Sequence, residues 1–346
     1  MSAVPQARHV VPARRRNPLT GMKWGTYEGP ADPAWPPYAQ STGTTHKMLA
    51  KIALTPKAKW FGPWLSPDEI ASHVTDYIDN TTHGNPNVLV QMTFFDMQPW
   101  EREACTRLPT QAERVQYRTW IRRAAAAIGN THTLIIQQPD GPVALCAPHG
   151  SHVYEQLLAW ATKTLSALPN TTVYIEGGSA DWLHGKVGRE VSLLVRDGIA
   201  HARGFELGTT HFDSVKDQIA FGSRVVAGLA RRGYPGRHFV VDTGDNGRPF
   251  TGSWYWQRHA PGSNFNNARR CKTRSETHCV TLGIPPTTDV ANAEWGLPAW
   301  ANRLARQHVD AYLWVSRPWI TPVTEKFDMN YALRVVRTAA FPIPRY

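Results

Sequence analysis

Short apolar runs, each closing on a polar loop marked by Gly or Pro, recur along this chain, and a helix-patterned segment follows nearly every one. The runs fall at residues 58–61, 88–95, 133–138, 172–175, 202–207, 238–241 and 311–315. Helical patterns cover 46–52, 66–80, 112–128, 151–168, 189–197, 213–232 and 298–308. Strands that alternate with helices are joined by crossovers, and crossovers make the sheet parallel. Seven or eight such units without a dinucleotide glycine fingerprint point to a closed barrel rather than an open sheet. The fold class expected is α/β, a closed parallel (β/α) barrel similar to a TIM barrel. Residues 1–16 read as a flexible basic arm, and 17–346 as a single domain with a long irregular stretch at 248–293.

In such a barrel the loops after the strands converge on one face. Here they carry Asp96, Glu101, Glu103, Asp140, Glu176, Asp181, His211, Asp242 and Asp245, together with Trp100, Trp182 and Trp319. The sharpest signal is the stretch 133–146. Its run Leu134-Ile135-Ile136 stops hard at Pro139-Asp140-Gly141-Pro142, so a carboxylate is presented on a loop pinned at both sides. The plain alternative is a turn aspartate beside a proline. Carboxylates among tryptophans suit glycoside hydrolysis. One acid protonates the leaving oxygen, a second carboxylate serves water, and flat rings stack against sugars.

Composition narrows the class further. A chain of 346 residues with 42% hydrophobic content can bury a sizeable core, and its 14 Trp suit a core but also make flat platforms for sugar rings. The net charge of +11 raises the question of nucleic acid. The cations are scattered, except for Arg14-Arg15-Arg16 and Arg269-Arg270, with no basic helix and no zinc spacing, so nucleic acid is not the expected partner. Four cysteines form two sequence-local groups, Cys105 with Cys146 and Cys271 with Cys279. An even count in a loop-rich chain favours disulfides and an oxidising compartment. His278 beside Cys279 is too little for a metal site. No apolar run approaches the ~18 residues of a membrane span. Residues 1–16 are polar and basic, unlike a secretory signal. The cysteines and the N-terminus therefore disagree, and a mature domain or another export route would reconcile them.

Six segments, in order, resemble one family. They are Asn17-Pro18-Leu19-Thr20-Gly21, Gln138-Pro139-Asp140, Tyr174-Ile175-Glu176-Gly177-Gly178-Ser179-Ala180-Asp181-Trp182, Gly204-Phe205-Glu206-Leu207-Gly208, Phe239-Val240-Val241-Asp242-Thr243-Gly244-Asp245-Asn246-Gly247 and Ala311-Tyr312-Leu313-Trp314-Val315. Together they resemble glycoside hydrolase family 6 of the actinobacterial type, the inverting β-1,4-glucanases. No single motif is decisive, but six at plausible spacing are specific. The resemblance implies a distorted seven-stranded barrel, bridges Cys105–Cys146 and Cys271–Cys279, no metal and no organic cofactor. It implies a β-glucan substrate and an extracellular monomer that needs neither nucleic acid nor membrane; the shortened segment after Arg317 points to an open cleft and endo action.

By that resemblance Asp140 is the general acid. The family's supporting aspartate precedes a cysteine, where this chain has Ala104. Glu103 is the expected stand-in, with Glu101 and Asp96 behind it; the plain alternative for Glu103 is a solvated loop charge. Asp242 is expected to bind sugar or orient water, the plain alternative being a strand-end cap. Trp60, Trp182, Glu176, His211, Trp256 and Arg317 are expected to meet the substrate. The family's Gly-Glu-x-Asp-Gly segment, with its candidate base, is replaced by Arg317-Pro318-Trp319-Ile320-Thr321-Pro322. The base is left unassigned, and Glu325 and Asp328 are the nearby carboxylates able to return. These departures keep two alternatives open: a catalytically weakened carbohydrate-binding relative, or a hydrolase of another cell-wall or capsule polysaccharide.

Overall fold

The structure, a computed structural model, describes residues 16–183, 185–261, 263–321 and 326–344. Its sheet has the parallel strands β1 (Lys23–Trp24), β2 (Lys59–Phe61), β3 (Val88–Phe94), β4 (Thr133–Gln137), β5 (Thr171–Glu176), β6 (Gly204–Leu207), β7 (His238–Asp242) and β8 (Val309–Leu313). From β3 to β8 the strands pair in sequence order, as right-handed crossovers dictate. Both β1 and β2 pair with β3, β1 near its start at Val88 and β2 near its end at Met92, so the circuit has seven positions.

The sheet curls until its first and last edges approach. Ala58 N donates to Trp314 O (3.0 Å), Trp60 Nε1 to Val315 O (2.8 Å) and Asn17 Nδ2 to Asp310 O (2.7 Å). Alternate strand residues point inward. Leu134, Ile136, Tyr174, Val240, Ala311 and Leu313 fill the barrel interior. Lower down, Asp310 accepts from Tyr174 Oη (2.7 Å) and Arg203 Nε (2.8 Å), so this buried carboxylate is fully partnered.

The outward-facing residues meet a ring of helices in the main core. Helix Gln111–Ile128 shows why such segments form. Thr110 and Glu113 make a reciprocal capping box, and Gly129 at φ 53° ends the helix. Tyr117, Trp120, Ile121, Ala124 and Ile128 recur at three- and four-residue spacing and are buried. Met329–Thr338, a helix with no counterpart in the sequence reading, packs with Gly43–Ala53 through Leu49, Ile52, Val335 and Val336 over Trp314 and Trp319. The basic arm expected at 1–16 falls almost wholly outside the described residues. No helix among those described is long and apolar enough to cross a membrane.

Candidate active site

The C-terminal strand ends enclose a cleft of about 170 Å³. Trp60, Phe95, Glu101, Asp140, Thr210, Asp245, Arg270, Ser316 and Arg317 line it. A larger hollow of about 720 Å³ lies at the opposite end, against Leu89, Thr172 and Ala202 near the strand starts. Its described lining includes no carboxylate. Parallel barrels do their chemistry at the C-terminal end, and the smaller space there holds the acids.

Asp140 follows β4 with φ 65°. Gln138 N donating to Phe94 O (2.8 Å) and Val143 N to Asp140 O (2.9 Å) hold this left-handed turn. The next residue must be glycine, because a Cβ on Gly141 would collide with the Glu176 carbonyl oxygen. Glu176 sits under the loop, fully buried, and accepts from Gly141 N (2.6 Å) and Gly178 N (2.6 Å). Burial, then the charge of Asp140, pushes the Glu176 carboxyl well above its usual range. Asp140 itself is pushed up to about 6, first by burial and then by the charge of Glu101. His211 and a hydrogen bond from Thr210 Oγ1 (3.3 Å) oppose that rise.

Three attachments bring Glu101 to Asp140. Trp100 Nε1 donates to Pro139 O (2.8 Å), Met97 N to Gln138 Oε1 (3.2 Å), and Cys105 is bonded to Cys146. The loops after β3 and β4 are thus stitched together. On the other flank His211 Nδ1 lies 2.7 Å from Asp181 Oδ1. Burial alone would lower the imidazole pKa, but the Asp181 carboxylate outweighs it and the net shift is upward. Asp181 is held in turn by Gly252 N (2.7 Å) and lies 2.9 Å from Ser179 Oγ. Trp182 stacks on His211 with ring centroids 5.0 Å apart. The acid therefore lies between an anion that favours its proton and a cation that opposes it.

The model of Glycosyl hydrolases family 6 matches residues 26–319. The chain belongs to this family. Endoglucanase A of Cellulomonas fimi is 29% identical over 66% of the chain, which spans about half (48%) of that protein's length. Endoglucanase 1 of Streptomyces halstedii is 28% identical over 73% of the chain and 79% of its own length. The solved endoglucanase Cel6 of Mycobacterium tuberculosis, in complex with a thio-linked methyl cellobiosyl-cellobioside, superposes with a TM-score of 0.70. It is 25% identical, over 92% of this chain and 98% of that one. The family is one of glycosidases, and the chain shares its distorted α/β barrel.

Within this family 6 frame the other expected residues fall as follows. Trp60 lines the cleft with the Arg317 guanidinium 4.9 Å above its ring and Phe95 5.6 Å away. Glu103 is exposed, pairs with Arg107 at 2.7 Å and does not line the cleft. Asp96 is buried in the loop just after β3, near Tyr117, where burial pushes it up to about 8. Asp242 accepts from Gly244 N (2.9 Å), Val315 N (3.0 Å) and Ser316 N (2.8 Å), tying the end of β7 to the end of β8 outside the cleft lining. Trp256 is half exposed on the short helix Gly252–Trp256 and does not line the cleft. Asp328 caps helix Met329–Thr338 by accepting from Tyr331 N (2.9 Å). Glu325 lies outside the described residues. Cys271 is bonded to Cys279, so the nearby Glu276 has no free thiols with which to share a metal.

Thr210 and Ser316 gain a place that the sequence reading did not give them, and two of its loop carboxylates gain a definite one. Glu101, ranked behind Glu103, lines the cleft; Thr210 and Ser316 form its floor; Asp245 forms part of its wall. Trp64, 47% exposed, stands over Gly62 just after β2, where any side chain on Gly62 would collide with its ring. A tryptophan beside Gly-Pro at a strand end was the available signal for Trp64.

Proposed function

We propose that this family 6 chain is an inverting hydrolase of β-1,4-glucan, with Asp140 as general acid. The observation that carries the reading is a half-buried aspartate in the cleft with its pKa raised to about 6 by burial and Glu101, with Trp60 in the cleft lining and Trp182 stacked on His211. A general acid must hold its proton near the working pH and still release it, and this environment does that. Trp60, Trp182 and the exposed rims at Trp64 and Trp256 are the surfaces on which glucose rings would stack. The relatives named endoglucanase, and the cellobioside-bound neighbour, favour an open cleft acting within the chain. The two disulfides favour secretion, and the chain is read as a monomer without cofactor.

The test is reducing-sugar release from carboxymethyl-cellulose and mixed-linkage β-glucan. Asp140→Asn is expected to lower release about a hundredfold or more, the scale of a lost general acid. Equal release by both proteins overturns the assignment. A fall in viscosity that outruns reducing-end formation marks endo action; the reverse marks exo action. A second reading, an acidic cell-wall or capsule glycan, is favoured by Arg270 and Arg317 in the cleft wall. Turnover of a uronic-acid polymer in place of glucan would establish it.

A further inference from the structure

Inversion needs a second carboxylate, across the scissile bond from the acid and separated from it by room for a water. The proposed reading leaves that group unassigned, and the segment after β8 offers none: Arg317-Pro318-Trp319-Ile320-Thr321 carries no acid. The described cleft lining contains three carboxylates, Glu101, Asp140 and Asp245. Glu101 stands on the acid's own side, because Trp100 and the Cys105–Cys146 bond tie its loop to the loop of Asp140. Asp242 is unsuited: three backbone amides occupy its two oxygens.

Asp245 differs in each respect. It follows β7, three strands around the barrel from β4 and Asp140. It is 5% exposed, and its Oδ1 accepts no hydrogen bond from any described residue. A desolvated, unpartnered carboxylate oxygen is costly, and such a group in a cleft wall points to a partner that arrives with the substrate. The cleft of about 170 Å³ has room for several waters at ~30 Å³ each. Its floor is continuous between the two acids. Thr210 donates through Oγ1 to Asp140 (3.3 Å) and through its backbone N to Ser316 Oγ (3.1 Å), and Ser316 hydrogen-bonds Asp245.

Resting on the proposed hydrolase reading, we propose that Asp245 is the general base of this enzyme. It takes a proton from a cleft water as the water oxygen bonds to the anomeric carbon. The bond from that carbon to the leaving sugar's oxygen breaks on the opposite face, and Asp140 gives its proton to that oxygen. The step leaves Asp245 protonated and Asp140 ionised, and exchange with solvent resets both. Burial and the charge of Asp242 raise the Asp245 carboxyl well above its usual range against the opposing Ser316 and Arg270. Turnover therefore runs from the fraction of molecules in which Asp245 is ionised while Asp140 keeps its proton.

The experiment compares wild type, Asp140→Asn and Asp245→Asn on β-glucan and on 2,4-dinitrophenyl β-cellobioside, whose leaving group needs no proton. Asp245→Asn is expected to lose a hundredfold or more on both substrates, with cellotetraose affinity and melting temperature near wild type. Asp140→Asn is expected to lose on glucan and recover most of its rate on the dinitrophenyl substrate. Azide, which needs no base, is expected to restore turnover to Asp245→Ala and to yield the α-glycosyl azide. An active wild type with Asp245→Asn within about threefold of it overturns this inference and leaves the hydrolase reading standing. So does an Asp245→Ala protein that azide does not rescue, which is the deciding result should Asp245→Asn fail to fold. A wild type inactive on both substrates overturns the hydrolase reading itself.

Discussion

Two glutamates stand two positions apart in the turn after β3, and only Glu101 meets the cleft. Its φ of 51° turns the chain at that point, whereas Glu103 reaches back to Arg107 on the outside. Their roles separate by charge. Glu101→Gln removes the anion that helps raise Asp140, so the acid's pKa falls and the alkaline limb of the activity profile moves to lower pH. Activity at pH 6 is expected to drop while activity near pH 4.5 is largely kept. Glu103→Gln is expected to leave the limb in place. A limb that moves with Glu103 and not with Glu101 would reverse the assignment. The motif reading placed Asp140 at the cleft because Pro139, Asp140 and Gly141 are consecutive and follow a strand. It missed the order of the two glutamates because the offset from Cys105 says nothing of which carboxylate a left-handed residue turns inward. It likewise favoured Asp242 over Asp245, since a strand-end aspartate looks displayed when the amides of the next strand are not in view.

At the scale of elements, the bridge Cys105–Cys146 joins the short helix Glu101–Ala104 to the turn Gly141–Cys146. Replacing both cysteines by serine removes a cross-link spanning 41 residues. The expected loss of stability is roughly 2–5 kcal/mol, read as a lower denaturant midpoint. The alkaline limb should broaden with it, because Glu101 is no longer held beside Asp140. A protein that loses stability and keeps an unchanged limb would show that Trp100 and Met97 suffice to position Glu101. The strands β2 to β8 were legible because each is a compact apolar run bounded by Gly or Pro. The two-residue β1 is too short to carry a period. Helix Met329–Thr338 was overlooked because the family motifs end before it, although Asp328 at its cap and the buried Ala332, Val335 and Val336 mark it.

For the whole molecule, buried carboxylates set the response to pH. Asp96 and Asp140 are raised to about 8 and about 6, and Glu176, Glu190, Asp197, Glu206, Asp213 and Asp245 are raised as well, burial coming first for each. The folded protein holds these protons more tightly than the unfolded chain. Their stabilising effect is complete below the ordinary carboxylate pKa of about 4 and is lost as pH rises through the folded-state values. Melting temperature at fixed ionic strength is therefore expected to fall between pH 5 and pH 8.5. A flat or rising curve would mean that these groups are ionised in the fold. Below pH 4 the trend reverses, since Glu113, held at about 2 by Arg107, loses its pairing.

The seam between β2 and β8 has a consequence in time. Trp60 meets Val315 across 255 residues of chain, and Arg317 lies over the same ring. One wall of the cleft is synthesised some 255 residues before the other. Contacts so distant in sequence close late. A nascent chain would carry Asp140 and its neighbours without the groove around them until β8 had docked against β2.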